Sequence, residues 1–84
     1  MKYTTEEAIK GTGRRRVYAV FFVVRGTEYR KQKPAMYFDC TRHARRWAKQ
    51  QTAYFQAPII KTYLCVMEYN PNTEHYEIDG GNEI

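Results

Sequence analysis

A chain of 84 residues has room for one domain, and its 43% hydrophobic content with eight Tyr is typical of a folded protein. It contains no run of about 18 apolar residues, so we expect no membrane partner, and two Cys are too few for a disulfide scaffold. The first ten residues lack the apolar stretch of a secretory signal, so we expect a cytoplasmic protein.

The net charge of +5 is distributed unevenly along the chain. Residues 1–50 carry 13 Lys/Arg and 4 Asp/Glu, whereas residues 51–84 carry 1 Lys and 5 Asp/Glu. The basic half favours nucleic acid or another acidic partner. The alternative is that a small protein needs net charge for solubility.

Residues 1–13 predict a flexible lead-in or a short helix. Thr4 and Glu7 have the spacing of a capping box that would start a helix through Ile9, and Gly11 would end it. The three arginines at 14–16 follow directly. They form either a phosphate-binding patch or a set of charged gatekeeper residues that oppose aggregation of the apolar strand that follows.

Val17–Val24 predicts the first strand and is the most informative stretch of the chain. Every residue in it is apolar or aromatic, and most are β-branched or aromatic, which suits a pleated surface. Because polar residues do not alternate with apolar ones, we expect a central strand that is covered on both faces. A basic loop then leads to a second predicted strand, Ala35–Cys40.

Arg42 to about Phe55 predicts the main helix, with Thr41 as its N-cap. One stripe of this helix is apolar and suits close packing on a sheet; its residues are Ala44, Trp47, Ala48 and Phe55. The opposite stripe carries cations without interleaved Glu; its residues are Arg42, Arg45, Arg46 and Lys49.

The remaining chain predicts a hairpin of two strands, Ile59–Tyr69 and Glu74–Asp79, joined by turn residues 70–73. A register that pairs Met67 with Tyr76 puts apolar side chains together on one face of both strands. The apolar patterns of the two strands therefore independently predict the same buried face of the hairpin, which we term the dry face.

The predicted fold is a single α+β domain with the element order β-β-α-β-β. Because the first strand must be internal and crossovers are short, we expect a four-stranded antiparallel sheet in the order 2-1-3-4, with one helix packed on one face. The domain would span residues 14–79, between the lead-in at 1–13 and a tail at 80–84 that we expect to fray.

One helix covers one face of such a sheet, which would leave the other face apolar and available. That face would bind a second copy of the chain as a homodimer, another protein, or single-stranded bases. The alternative is that the N-terminal segment, with Ala8 and Ile9, covers it. The residues expected on the open face are Tyr18, Val20, Phe22, Tyr37, Leu64 and Val66.

Cys40 and His43 have a Cys-x-x-His spacing and form, with Cys65 and His75, a two-Cys, two-His set that could bind zinc. In the predicted register Cys65 and His75 project from opposite faces, so we expect no metal and no cofactor. Cys40 beside His43 is also the candidate nucleophile pair, with Asp39 as the nearest carboxylate. A chain this small leaves little room for a substrate pocket, so we expect a non-enzyme.

The basic helix face is the strongest functional signal, because arginine forks bind phosphate oxygens. We expect a small binding module that contacts the backbone of DNA or RNA. The second hypothesis is a protein-binding adaptor or inhibitor, of the mobile-element or phage type, that uses the open sheet face. The residues expected to contact nucleic acid are Arg14, Arg15, Arg16, Arg30, Lys31, Lys33, Arg42, Arg45, Arg46 and Lys49.

Overall fold

The computed structural model describes residues 3–24, 28, 32–54 and 59–84. Five strands and two helices occur in these ranges. In chain order they are β1 (Tyr3–Thr4), α1 (Glu6–Lys10), β2 (Arg16–Val24), β3 (Met36–Phe38), α2 (Thr41–Tyr54), β4 (Ile59–Asn70) and β5 (His75–Glu83). Neither described helix has the length and apolar composition of a membrane span.

The strands form one antiparallel sheet in the order β1-β3-β2-β4-β5. Without the two-residue β1, this is the predicted order 2-1-3-4, so the predicted α+β class and topology are confirmed. The nine residues of β2 all have partners in β4, and Tyr18 to Val20 also pair with β3. The central position predicted for Val17–Val24 is therefore correct.

Alternate side chains of β2 enter two separate apolar clusters, one on each side of the sheet. The cluster on the α1 side consists of Ile9, Val17, Ala19, Phe21, Tyr37, Cys65, Met67 and Tyr76. The cluster on the α2 side consists of Val20, Phe38, Ala44, Ala48 and Leu64. A strand buried on both faces has no place for alternating polar residues, which explains its continuous apolar sequence.

The prediction of an open sheet face is wrong, because α2 covers most of the residues assigned to it. Tyr18, Val20, Phe22, Leu64 and Val66 lie on the α2 side of the sheet. Val20 is 0% exposed and Leu64 is 7% exposed. Tyr37 lies on the opposite side and is 6% exposed. The two apolar sets of β2 are chemically alike, so the sequence alone did not decide which one faces α2.

Helix α1 packs against the other side of the sheet. Ile9 is 2% exposed and belongs to the cluster there, whereas Ala8 is exposed. The Oγ1 of Thr5, rather than of Thr4, caps the helix by accepting a hydrogen bond from the Ala8 N–H at 3.4 Å. The N-terminal segment therefore belongs to the folded core, which is the alternative considered above.

Large apolar side chains are well covered in the part of the chain whose burial is described. Within those residues, Ile84 is the one exposed large hydrophobic residue, at 42%. The contiguous apolar patch expected on the sheet is therefore not found there. Phe55, predicted to complete the apolar stripe of α2, lies outside the described residues.

Glu6 connects α1 to two strands. Its Oε2 accepts a hydrogen bond from the Tyr37 hydroxyl at 3.2 Å, and its Oε1 lies 3.1 Å from His75 Nδ1. Burial acts to raise the pKa of Glu6, but the hydrogen bonds with His75 and Tyr37 outweigh it and lower the pKa. Burial, together with the charge of Glu6, raises the pKa of Tyr37, so its hydroxyl remains protonated and able to donate.

The hairpin has a register that differs by two residues from the predicted one. Met67 lies opposite Ile78 instead of Tyr76. A shift of two keeps each side chain on its original face, so Met67, Tyr76 and Ile78 still share one side of the sheet. The predicted dry face is therefore correct although the pairing is not.

Strand β5 continues to Glu83, so the prediction that 80–84 fray is wrong. The register shifts between Val66 and Met67, which leaves Asp79 as an extra residue in β5. Beyond this bulge the ladder resumes, with Cys65 opposite Gly81. The Ile84 N–H donates to the Thr62 carbonyl at 2.9 Å and extends the pairing.

We expect Gly81→Ala to destabilise the fold, because Gly81 lies directly against Cys65. A Cβ at residue 81 would lie 2.6 Å from the Cys65 Sγ, and Cys65 is fully buried. Overpacking of this kind lowers the free energy of unfolding by about 1–3 kcal/mol. Urea denaturation followed by circular dichroism measures the loss.

Gly80→Ala is the matched control, because a Cβ there meets nothing within 4 Å. Cys65→Ala removes the sulfur atom, so the double variant Cys65→Ala/Gly81→Ala should lose less stability than the two single losses added together. Equal destabilisation by Gly80→Ala and Gly81→Ala, with simple additivity, would contradict the contact as the cause.

We expect Glu6 to make the stability fall at acid pH. Folding lowers the pKa of Glu6, so its contribution is present above the unfolded-state pKa and is lost as the pH falls through the folded-state pKa. In Glu6→Gln the urea midpoint should therefore change less than in the wild type between about pH 5 and pH 2. Glu7→Gln, an exposed carboxylate on the same helix, is the control. An unaltered acid dependence in Glu6→Gln would exclude this role.

Candidate nucleic-acid interface

Helix α2 is held on the sheet by two small side chains and one large one. Ala44 and Ala48 are buried, and with no atoms beyond Cβ they let the helix lie close to the strands. Trp47 stacks on Phe22 with ring centroids 5.6 Å apart, and it contacts Phe38 at the same centroid distance with a tilt of 55°. These contacts fix the rotation of α2 about its axis and so determine which residues point outward.

The outward side of α2 carries four exposed cations, which we term the cationic face. They are Arg42, Arg45, Arg46 and Lys49. At about 100° per residue they fall within an arc of about 100° on the side away from the sheet. The helix contains no Asp or Glu, so none of these four cations has an acidic neighbour one turn away within the helix.

Three of these cations also lack acidic partners elsewhere in the described chain. Arg42, Arg45 and Arg46 form no ion pair with any residue of the described ranges. Their positive charges are therefore not neutralised by neighbours within that part of the protein. An extended positive potential on this side of the sheet follows.

Two of the cations flank a cleft of about 300 Å³ beside the end of the sheet. Arg45 and Lys49 lie on its helix side, and Thr62 and Ile84 lie on its strand side. The cleft therefore combines two cations with a shallow concavity.

The arginines at the start of β2 are not part of the cationic face. The Arg16 Nε donates to the Glu68 Oε1 at 2.7 Å, and this bond raises the pKa of Arg16. Arg14 and Arg15 are exposed, and their carbonyl groups accept hydrogen bonds from the Tyr76 hydroxyl and the Tyr69 N–H. Arg16 is thus paired within the protein, and the other two directly precede the internal strand β2.

The loop cations predicted to extend the interface do not join α2 in the described structure. Lys33 is exposed and lines a groove of about 820 Å³ on the α1 side of the sheet, whose floor includes Phe21 and Met67. It therefore lies on the opposite side of the sheet from the cationic face. Arg30 and Lys31 lie outside the described residues.

The two-Cys, two-His set considered from the sequence does not converge. Cys65 is buried on the α1 side of the sheet, and His75 lies beside Glu6. Cys40 and His43 instead lie close to Asp39 at the start of α2, with one ligand atom of each within 4.8 Å of the others. The sequence signal for this cluster is the Cys-x-x-His spacing preceded directly by Asp.

Together these features define a small α+β domain that presents one cationic helix on a five-stranded antiparallel sheet. Comparisons with protein-family models, with curated proteins and with solved structures find no match. The function is therefore inferred from the chemistry of the surface alone.

We expect Trp47→Ala to lower the free energy of unfolding by about 2–4 kcal/mol, because it removes the ring contacts to Phe22 and Phe38. Trp47→Phe keeps an aromatic ring in place and should lose less than half as much. Urea denaturation followed by far-ultraviolet circular dichroism measures both variants. A Trp47→Ala variant as stable as the wild type would contradict the anchoring role.

Proposed function

We propose that the protein binds the phosphate backbone of DNA or RNA through the cationic face of α2. The observation that supports this proposal most strongly is the grouping of four exposed cations on one arc of a helix that contains no acidic residue. An ordinary solvent-facing helix tends to mix Glu and Lys at positions one turn apart, because such pairs stabilise it. Helix α2 forgoes that stabilisation, and its Arg42, Arg45 and Arg46 form no ion pair with the described residues.

The length of the cationic face matches a short stretch of backbone. Arg42 and Lys49 are seven residues apart, which corresponds to about 10 Å along a helix axis. Over about 10 Å of a duplex axis, each strand carries about three phosphates at about 3.4 Å of rise per step. Arginine can donate two parallel hydrogen bonds to one phosphate, so Arg42, Arg45 and Arg46 suit these contacts.

Phosphate contacts of this kind determine the affinity and the position of a protein on nucleic acid, but not its sequence specificity. Phosphates are identical along the strand, so a cationic face that binds them carries no base readout. We therefore propose a module with weak sequence preference, whose affinity depends steeply on salt because binding releases counterions. The competing adaptor hypothesis relied on an open apolar sheet face, which α1 and α2 cover in the described structure.

Arg45→Glu and Arg46→Glu test the proposal. Each reversal replaces a phosphate contact with a repulsion, so we expect each to weaken binding at least about tenfold. The measurement is the fluorescence anisotropy of a labelled DNA duplex and of the matching RNA duplex between about 50 and 200 mM salt. The wild-type plot of log K against log salt should have a slope of about −3, and each variant should reduce its magnitude by about one.

Lys33→Glu is the matched control, since it changes the net charge equally on the opposite side of the sheet. We expect it to have a much smaller effect than either arginine reversal. A loss in Lys33→Glu equal to the loss in Arg46→Glu would attribute binding to net charge rather than to the cationic face. Binding that is insensitive to salt and to both arginine reversals would refute the proposal, and a protein partner would then be sought by co-purification after nuclease treatment.

A further inference from the structure

The start of α2 places three different metal-binding side chains together. Asp39 and Cys40 precede the helix, and His43 lies in its first turn. The Cys40 carbonyl accepts the Ala44 N–H at 3.3 Å, which fixes Cys40 relative to His43. The ligand atoms of the three side chains all lie within 4.8 Å of one another.

Two of these atoms are buried without a hydrogen-bond partner. They are the Asp39 Oδ1 and the His43 Nδ1, and they are the unsatisfied buried side-chain atoms found within the described ranges. Their side chains are otherwise 28% and 27% exposed, so the unsatisfied atoms point inward while the rest of each group reaches solvent. A buried polar atom without a hydrogen-bond partner destabilises a fold, and the long i,i+4 contact between these two atoms offsets that cost only in part unless something else binds them.

The distance between the two atoms is too long for a good hydrogen bond and suits a shared metal ion. The Asp39 Oδ1 and the His43 Nδ1 are 3.5 Å apart. A charge-assisted N–H···O bond would bring them to about 2.7–2.9 Å. Two ligands of a tetrahedral zinc ion with bonds of about 2.0–2.1 Å are about 3.3 Å apart. A small rotation of either side chain reaches that separation.

We propose that Asp39, Cys40 and His43 form a site for a divalent transition metal of the zinc class. Oxygen, sulfur and nitrogen ligands are the set that Zn²⁺ takes in proteins, and three protein ligands leave a fourth position for water or a further ligand. On binding, the Cys40 thiol releases its proton to solvent and coordinates as a thiolate. Cys65 and His75 take no part, because they lie elsewhere in the fold.

The site is independent of the proposed nucleic-acid function. Its three residues are not members of the cationic face, and His43 is on the flank of α2 beside Trp47 rather than on the outer arc. Metal binding and backbone binding can therefore be tested in the same protein, and failure of either leaves the other standing.

Cobalt(II) is the probe for this site. We expect the reduced, chelator-treated protein to bind one equivalent of Co²⁺ and to develop a thiolate-to-cobalt charge-transfer band with the intense visible bands of four-coordinate cobalt. Added Zn²⁺ should displace the cobalt and remove these bands, because a four-coordinate site with a thiolate ligand suits Zn²⁺. A wild-type protein without these bands at a tenfold excess of Co²⁺ would overturn the proposal.

Substitutions identify the ligands. Cys40→Ser should abolish the charge-transfer band, and Asp39→Asn and His43→Ala should each weaken binding by at least about tenfold. His43→Cys keeps a metal-binding group at this position and should retain binding better than His43→Ala. Circular dichroism confirms that each variant is folded before it is compared.

Cys65→Ala and His75→Ala are the matched controls, because each removes the same residue type away from the cluster. Both should keep the wild-type spectrum. Retention of the charge-transfer band by Cys40→Ser, or its loss in a folded Cys65→Ala, would assign the thiolate to Cys65 and contradict the proposed site.

Discussion

The burial of β2 on both of its faces is the constraint on which the rest of this structure depends. Val17, Ala19 and Phe21 face one side and Val20 faces the other, and all four are buried. Apolar burial contributes roughly 25 cal/mol per Å², so neither side of such a strand can be left in water without a large loss. Both sides therefore need a cover, and the two amphipathic helices supply one each. The polar face of each helix is then directed to solvent, which is how a packing requirement in the core produces a charged surface on α2.

The class and strand order could be predicted from the sequence because they follow from strong local patterns. The unbroken apolar run of β2 requires an internal position, and the periodicity of Ala44, Trp47 and Ala48 requires a helix packed on a sheet. The choice of face could not be predicted, since the odd and even residues of β2 are about equally apolar. It depends on how α2 fits against Val20 and Phe38, which is a tertiary contact. Helix α1, with five residues, is too short to be stable alone and forms because Ile9 packs on the sheet.

The cations of α2 could be grouped from the sequence because a helix places residues one turn apart on one side. The other predicted cations differ, because their surroundings depend on distant parts of the chain. Arg16 is paired with Glu68, which lies 52 residues away, and no local pattern indicates that bond. The cluster at Asp39 and His43 could be predicted only in part from the sequence. The spacing of Cys40 and His43 is a known metal-binding pattern, but the burial of the Asp39 and His43 atoms that lack hydrogen bonds is known only from the structure. Similarly, two consecutive glycines suggest a frayed chain terminus from the sequence. Only the pairing of Gly81 with Cys65 in the structure shows that they belong to β5.

The bulge at Asp79 has a consequence for how copies of this protein behave when they meet. Strand β5 is the outer margin of the sheet, and an outer strand offers unpaired backbone groups to any other strand. Here that margin is interrupted by an extra residue and bears the exposed carboxylates of Glu77 and Asp79. Like charges and an irregular ladder oppose the pairing of one copy's outer strand with that of the next, so this edge disfavours fibril-like self-association.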